Sequence, residues 1–178
     1  HLDYIGKENK AIVSGDILLK DQQVELVTDQ LIYDLSIKRA SYYTGATIVN
    51  SDNKLVSNKG HYLSEDKLMF FKDDVYLENP DYIMYCDTLK YHTLSEIAYF
   101  LGPTKIISDS NFIYCENGWY NTQLNISQFN KNAYLWSKDQ RLSGDSLYYD
   151  RNRGYGNAIN NVSILDTLND YLLNLSLI

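Results

Sequence analysis

The chain has 178 residues, of which 16 are Lys or Arg and 23 are Asp or Glu, and its formal net charge at pH 7 is −7. A chain of this charge repels phosphate backbones, so nucleic acid is excluded as a general partner. With 44% hydrophobic and 22% charged residues the sequence can bury a core, and its length suits one domain, which we place over residues 1–178 as part of a longer chain. The first residues lack the basic region and apolar run of a signal peptide, and we expect that a leader has been removed.

The composition includes 17 Tyr but only 2 Pro, and many residue types recur every 29 positions. The recurring columns are the tyrosines Tyr33, Tyr62, Tyr91, Tyr120 and Tyr149; the aliphatic residues Leu19, Ile48, Leu77, Ile106, Leu135 and Ile164; the aromatic residues Tyr42, Phe71, Phe100 and Phe129; and the polar residues Asp29, Asn58, Asp87, Glu116 and Asp145. Since several columns agree without an insertion, the sequence indicates a repeat protein.

In chain order, polar turn signals fall at residues 20–23, 50–53, 64–66, 78–81, 108–111, 137–140 and 150–153. The segments between them alternate apolar and polar residues, which predicts two strands of about 10 residues in each repeat and about twelve strands from Ile12 to Ile178. The first segment of each repeat contains residue types that favour a bulge or a corner, so we expect bent strands. These sites are Thr44-Gly45, Asp73-Asp74, Gly102-Pro103, Lys131-Asn132 and Asn160-Asn161.

Bent strands of this length fit a parallel right-handed solenoid or a meander of hairpins folded like a taco shell. Cys86 and Cys115 occupy equivalent positions one repeat apart. In a solenoid they would stack about 4.8 Å apart, whereas a meander places a strand between them, roughly 9 to 10 Å, and excludes a disulfide. We interpret them as buried small side chains in a column shared with Thr28, Ser57 and Gly144, and a disulfide in an oxidising compartment is the alternative.

Residues 142–149, with the sequence Leu-Ser-Gly-Asp-Ser-Leu-Tyr-Tyr, precede a small-residue segment at 154–158 and an aliphatic strand through Ile164. This unit resembles the repeat of the organic-solvent-tolerance (OstA-like) family, which includes the periplasmic lipopolysaccharide-export proteins. Its aspartate, aliphatic and tyrosine positions are matched again at residues 28–33 and 86–91.

The resemblance implies an all-β fold, the bent β-jellyroll or β-taco, built as a meander of antiparallel strands. It also implies a periplasmic location and an apolar groove that receives the acyl chains of lipid A and hands them toward the outer membrane, without an enzymatic step or a cofactor. Two repeats depart from the pattern, with Asn58 and Gly60 in one and Glu116 and Gly118 in the other, and we expect these to pack more openly. The last repeat has Asn174, Ser176 and Ile178 at the motif positions, so we expect it to be atypical or cut short.

The two columns that we place on the inner face of the taco are aromatic and aliphatic. They are the candidate lipid-binding residues: Tyr42, Ile48, Phe71, Leu77, Phe100, Ile106, Phe129 and Leu135. The chain carries no basic cluster, so burial of acyl chains rather than contact with phosphates is expected to provide the affinity. If these columns instead close on each other, the chain is a structural β-repeat scaffold or cell-surface module without a lipid.

The expected partners are lipopolysaccharide or another acylated lipid, and either jellyroll-type transport proteins or a second copy that adds strands at the sheet edges. We place those edges near residues 12–19 and 171–178.

The remaining polar columns are given structural roles. We interpret the tyrosines as an aromatic ladder between hairpins, with a rim of phenols around the groove as the alternative. The acidic column is predicted to accept backbone N–H bonds at the corners. The adjacent acids Asp73 and Asp74 lack the second acid at a distance that a glycosidase requires, and no enzyme is predicted. His1, His61 and His92 have no metal-like spacing, and His61 is predicted to face solvent.

Overall fold

The structure is a computed structural model that describes residues 1–20, 24–169 and 171–175. Its strands form one sheet of 16 strands, in which every pair of neighbours is antiparallel. In chain order the strands are β1 (Leu2–Ile5), β2 (Lys10–Lys20), β3 (Glu25–Asp34), β4 (Arg39–Tyr42), β5 (Ala46–Val49), β6 (Lys54–Ser57), β7 (Lys59–Leu63), β8 (Leu68–Glu78), β9 (Ile83–His92), β10 (Ile97–Ile107), β11 (Asn111–Asn121), β12 (Ile126–Ser137), β13 (Gln140–Asp150), β14 (Tyr155–Ile159), β15 (Val162–Asp166) and β16 (Tyr171–Leu175).

The predicted meander is confirmed, and the parallel solenoid is ruled out because neighbouring strands run in opposite directions. Three pairs of short strands are halves of single bent strands: β3 pairs with both β4 and β5, β8 with both β6 and β7, and β13 with both β14 and β15. Counted in this way, the described chain after β1 has about twelve bent strands, as the turn spacing predicts.

The predicted corners are confirmed at the centre of these strands. The pairing register of β10 shifts between Leu101 and Thr104, and that of β8 shifts between Lys72 and Val75. Gly, Asn and Asp adopt the left-handed backbone region at lower cost than other residues, which explains why they recur there. The predicted corner residues with positive φ are Gly45, Asp73, Asp74, Gly102, Lys131, Asn132, Asn160 and Asn161. Gly15, where the register of β2 shifts, also has positive φ.

The acidic column lies beside the corners, but its bonding partners differ from the prediction. Glu116 accepts a hydrogen bond of 2.7 Å from the Asn132 amide, and Asp145 accepts one of 2.9 Å from the Asn161 amide. The partners of these two residues are side chains of the neighbouring corner rather than backbone N–H groups. Asp87 of the same column instead accepts a hydrogen bond of 2.9 Å from the Thr88 hydroxyl.

The amino-terminal edge differs in part from the prediction. A 3-10 turn at Gly6–Glu8 folds β1 back onto β2, so that Leu2 is opposite Val13 and Ile5 is opposite Lys10. The first half of β2 is therefore paired on both sides and β1 forms the edge there, whereas the described residues 17–20 of β2 pair with β3 only and remain at the edge, as predicted. The short β1 lacks the corner and the columns of a full repeat, which is why the period does not reveal it.

At the other end of the sheet, β16 pairs with β15. Part of the predicted edge at 171–178, the motif positions Ser176 and Ile178, and most of the first predicted turn at 20–23 lie outside the described residues. Among the described residues, no helix is long and apolar enough to span a membrane.

The two cysteines lie on β9 and β11 and both are free and buried, in line with the meander. Cys86 and Cys115 each stand opposite Thr104 of the intervening strand β10. Thr28, Ser57 and Gly144 of the same column are buried as well, as predicted. Burial raises the pKa of the Cys86 thiol to about 12 and that of the Cys115 thiol to about 11.

Native protein treated with iodoacetamide at about pH 8 should therefore show almost no labelling of Cys86 or Cys115, since only the thiolate reacts and both thiols are shielded. After unfolding in denaturant both should react fully, as intact-mass spectrometry can measure. Rapid alkylation of the native protein at either cysteine would contradict the closed packing around Thr104.

Candidate functional site

The bend in each strand places two half-sheets face to face, and the core lies between them. The aromatic members of the predicted groove, Tyr42, Phe71, Phe100 and Phe129, belong to the buried core cluster. The aliphatic members, Ile48, Leu77, Ile106 and Leu135, are half-buried and pack against that cluster. All eight candidate residues therefore lie on the inner face.

The centre of the inner face is closed. Phe100 has 0% of its surface exposed, and its ring stacks on that of Phe129 with the centroids 6.0 Å apart. Toward the first repeats, the Tyr42 hydroxyl hydrogen-bonds to the Ser57 hydroxyl inside the core, and burial raises the pKa of the Tyr42 phenol. This part of the inner face is an ordinary protein core in the structure.

The expectation of open packing at the two glycine-containing repeats is wrong. Gly60 is opposite Tyr42, and Gly118 is opposite Phe100. A Cβ atom on Gly60 would lie 2.5 Å from the Tyr42 ring, and one on Gly118 would lie 2.4 Å from the Phe100 ring. The aromatic rings thus occupy the space that an aliphatic side chain fills in the other repeats.

The tyrosine column does not form the predicted ladder. Tyr62, Tyr91 and Tyr120 alternate across the sheet with Met69 and Ala98, which lie on the strands between them. Among the described residues, no ring contact joins two members of this column, because a strand with a different side chain separates successive tyrosines.

The cross-strand ring contacts of the tyrosine-rich sheet lie mainly on its outer face. Tyr76 contacts Tyr85, and Tyr134 stacks on Tyr114 with the centroids 5.4 Å apart. His61 also faces outward, as predicted, but it is half-buried and stacks on Phe70 at 4.6 Å. Burial, with a smaller contribution from the charge of Arg39, lowers the pKa of His61.

A pocket of about 290 Å³ opens between the two rims of the taco, beside the closed centre. The rims are the two sets of turns at the free ends of the half-sheets. Three of the candidate residues, Phe100, Ile106 and Phe129, line this pocket. The other lining residues are Asp81, Tyr82, Met84, Ser108, Asn111, Ile113, Tyr120, Asn125, Ser127, Tyr149 and Arg151.

The pocket is apolar inside and polar at its mouth. Met84, Ile106 and Ile113 supply its aliphatic wall, and Tyr82 is buried deeply enough for burial to raise the pKa of its phenol. Two tyrosines of the periodic column, Tyr120 and Tyr149, also line it, which places this part of the column at the rim.

The mouth carries one cation and one anion. Arg151 Nη1 donates to Asp81 Oδ2 at 3.2 Å, and this hydrogen bond raises the pKa of the guanidinium. Asp81 lies in the turn between β8 and β9, and Arg151 lies in the turn between β13 and β14. Sequence reasoning placed both residues in turns but assigned them no role, because nothing in the period indicates that these two turns meet.

The described residues contain no group of three or more His, Cys, Asp and Glu side chains placed to hold a metal ion. The paired acids Asp73 and Asp74 form a corner, where Asp73 pairs with Lys59 at 2.6 Å and Asp74 accepts from Asn58 at 2.8 Å. Their geometry is that of a structural turn.

Comparison with known proteins identifies the family of the chain and proteins of similar fold. The model for the OstA-like protein family matches residues 1–87 and 83–145. A search of curated proteins returns no match. Among solved structures, the chain is similar to LptH of Pseudomonas aeruginosa, described as the LptA-homologous periplasmic component of the conserved lipopolysaccharide transport device. The two share 11% sequence identity at a TM-score of 0.55, over 71% of this chain and 95% of LptH, a likeness that establishes the fold.

Proposed function

Because the chain belongs to the OstA-like protein family, we propose that it is a non-enzymatic lipid-binding protein of the cell envelope. It receives lipopolysaccharide, or another acylated lipid, between its half-sheets and passes it toward the outer membrane. The periplasmic role stated for the structurally similar LptH supports a periplasmic location. The chain acts as a single jellyroll domain.

The observation that carries this proposal is the apolar pocket between the rims. Its volume of about 290 Å³ lies just below the range for small-molecule sites, about 300 to 1,000 Å³. Burying an acyl chain contributes about 0.8 kcal/mol per methylene, so even part of one chain provides useful affinity. A lipid with several chains requires the half-sheets to separate further along the columns of Tyr42, Phe71, Phe100 and Phe129.

Partner proteins of the jellyroll type, or a second copy of the chain, would add strands at the sheet ends. At the amino-terminal end, Leu2 and Tyr4 of β1 are 65% and 62% exposed, and β1 has a strand on one side only. An unpaired row of backbone N–H and C=O groups can pair with another strand.

The closed centre supports a second candidate, a structural β-repeat scaffold without a lipid ligand. Phe100 is fully buried, and an inner face that never opened would behave as an ordinary core. The two functions differ in whether the pocket admits an acyl chain.

Photocrosslinking separates the two candidates. Ile106 lines the pocket, whereas the adjacent Lys105 points to the opposite face and is exposed, so the pair forms a matched test and control. With p-benzoylphenylalanine at each position and lipopolysaccharide as the ligand, we expect strong labelling at Ile106 and background labelling at Lys105. A third probe at Phe100 reports whether the centre opens.

Equal labelling at positions 105 and 106, or none at 106 in a protein that circular dichroism shows to be folded, would contradict lipid binding in the pocket. It would favour the structural scaffold.

A further inference from the structure

The ion pair between Asp81 and Arg151 joins the two rims directly across the mouth of the pocket. The two residues are 70 positions apart in the chain. Among the described residues, the other salt bridges join side chains within one turn or on adjacent strands and turns. Asp81 and Arg151 are also the only charged side chains among the residues that line the pocket.

This ion pair holds the mouth shut only weakly. Its side chains are 63% exposed at Asp81 and 59% exposed at Arg151, and water screens an ion pair of this kind strongly. Little free energy is therefore needed to part the two side chains.

The pocket beneath the ion pair is apolar inside and polar at its mouth, which matches the two parts of an amphiphilic ligand. Its aliphatic wall at Met84, Ile106 and Ile113 suits an acyl chain, and Arg151 at the mouth lies near the phenols of Tyr120 and Tyr149. A guanidinium binds phosphate oxygens in the same forked geometry in which it binds a carboxylate. A lipid phosphate at the mouth can therefore take the place of the Asp81 carboxylate.

We propose that Arg151 is a headgroup-binding residue that exchanges Asp81 for the phosphate of the bound lipid. The Asp81–Arg151 pair is then the closed, unloaded state of the mouth, and the lipid that enters is acylated and phosphorylated. This inference rests on the proposed lipid-binding function and adds to it the chemistry of the headgroup. It also explains how a chain with a net charge of −7 accepts an anionic lipid: a single arginine at the mouth meets the phosphate, and burial of the acyl chains provides most of the affinity.

Asp81 has two effects in this arrangement, since it competes with the phosphate for Arg151 and ties the rims together. Removing its charge should favour binding. Arg153 offers a matched control, because it lies in the same turn as Arg151, pairs with Asp150 at 3.6 Å and does not line the pocket.

The test compares hexaacyl diphosphoryl lipid A with the same lipid after removal of its phosphates, with dissociation constants measured by microscale thermophoresis on the full chain. For Arg151→Gln we expect about tenfold weaker binding of the phosphorylated lipid and unchanged binding of the dephosphorylated one. Asp81→Asn should bind the phosphorylated lipid a few fold more tightly. Arg153→Gln should match the unaltered protein for both lipids.

The outcomes separate the two proposals. If the unaltered protein binds neither lipid, the proposed lipid-binding function fails. If it binds both but Arg151→Gln behaves like Arg153→Gln, lipid binding stands and the headgroup role of Arg151 is overturned. Inorganic phosphate at the concentration of the lipid should not displace it, and displacement would overturn the assignment of the mouth to a lipid headgroup.

Discussion

Replacement of Phe100 by alanine is expected to lower the free energy of unfolding by about 3 to 5 kcal/mol. The ring is fully buried, stacks on Phe129 and lies opposite Leu89 on β9 and Gly118 on β11. Removing it leaves a cavity in the middle of the inner face that the flanking strands cannot fill, because Gly118 offers no side chain. Urea denaturation followed by circular dichroism measures the loss.

The neighbouring residue Tyr99 is the matched control. It lies on the opposite face of β10, is half-buried, and contacts the ammonium group of Lys90, which is 5.5 Å from its ring centroid. Tyr99→Ala should therefore cost about 1 kcal/mol. Equal losses for the two variants would show that the inner face is not the main core of the protein.

The course of the chain could be predicted from the sequence because each repeat contains its own local signals. Gly45, Gly102 and the pair Asp73-Asp74 are residues that tolerate positive φ, and they recur at two adjacent positions of the 29-residue period. Alternation of apolar residues then fixes which side chains face inward. Corners, strand direction and the inward position of the candidate residues follow from these two properties.

The contacts between repeats could not be predicted in the same way, since they depend on which residues stand opposite each other. Within its own repeat, Gly118 leaves empty the position that an aliphatic side chain fills in other repeats. Only its pairing with Phe100 shows that the ring from the neighbouring strand fills this space. The prediction of a tyrosine ladder was wrong for a similar reason, because residues such as Ala98 on the intervening strand separate one tyrosine from the next.

The ion pair at the mouth of the pocket could not be predicted from the sequence for a different reason. Asp81 and Arg151 lie in turns on opposite rims, and their distance is set by how far the whole sheet folds over. No local pattern encodes that angle. A search for isolated cations at turn positions would have identified Arg151 together with several residues that have no partner across the groove.

The glycine at position 118 gives the second test of the inner face. Gly118→Ala is expected to lower the free energy of unfolding by about 2 to 3 kcal/mol. The added Cβ would lie 2.4 Å from the Phe100 ring and 2.6 Å from the backbone oxygen of Gln128, so both a buried ring and a paired strand would have to move.

Alanine substitutions at two other glycines should lower the free energy of unfolding by smaller amounts. At Gly60 a Cβ would meet only the outer part of the Tyr42 ring, at 2.5 Å, and a side chain moves more easily than a strand, so Gly60→Ala should cost less than Gly118→Ala. At Gly156, on β14, the nearest atom lies at 3.7 Å, an ordinary contact, and Gly156→Ala should change stability by less than about 0.5 kcal/mol. Chemical denaturation of the three variants under one set of conditions tests the order. If Gly118→Ala proves as stable as Gly156→Ala, then Phe100 does not lie against Gly118. The centre of the groove would then be open in solution rather than closed as in the structure.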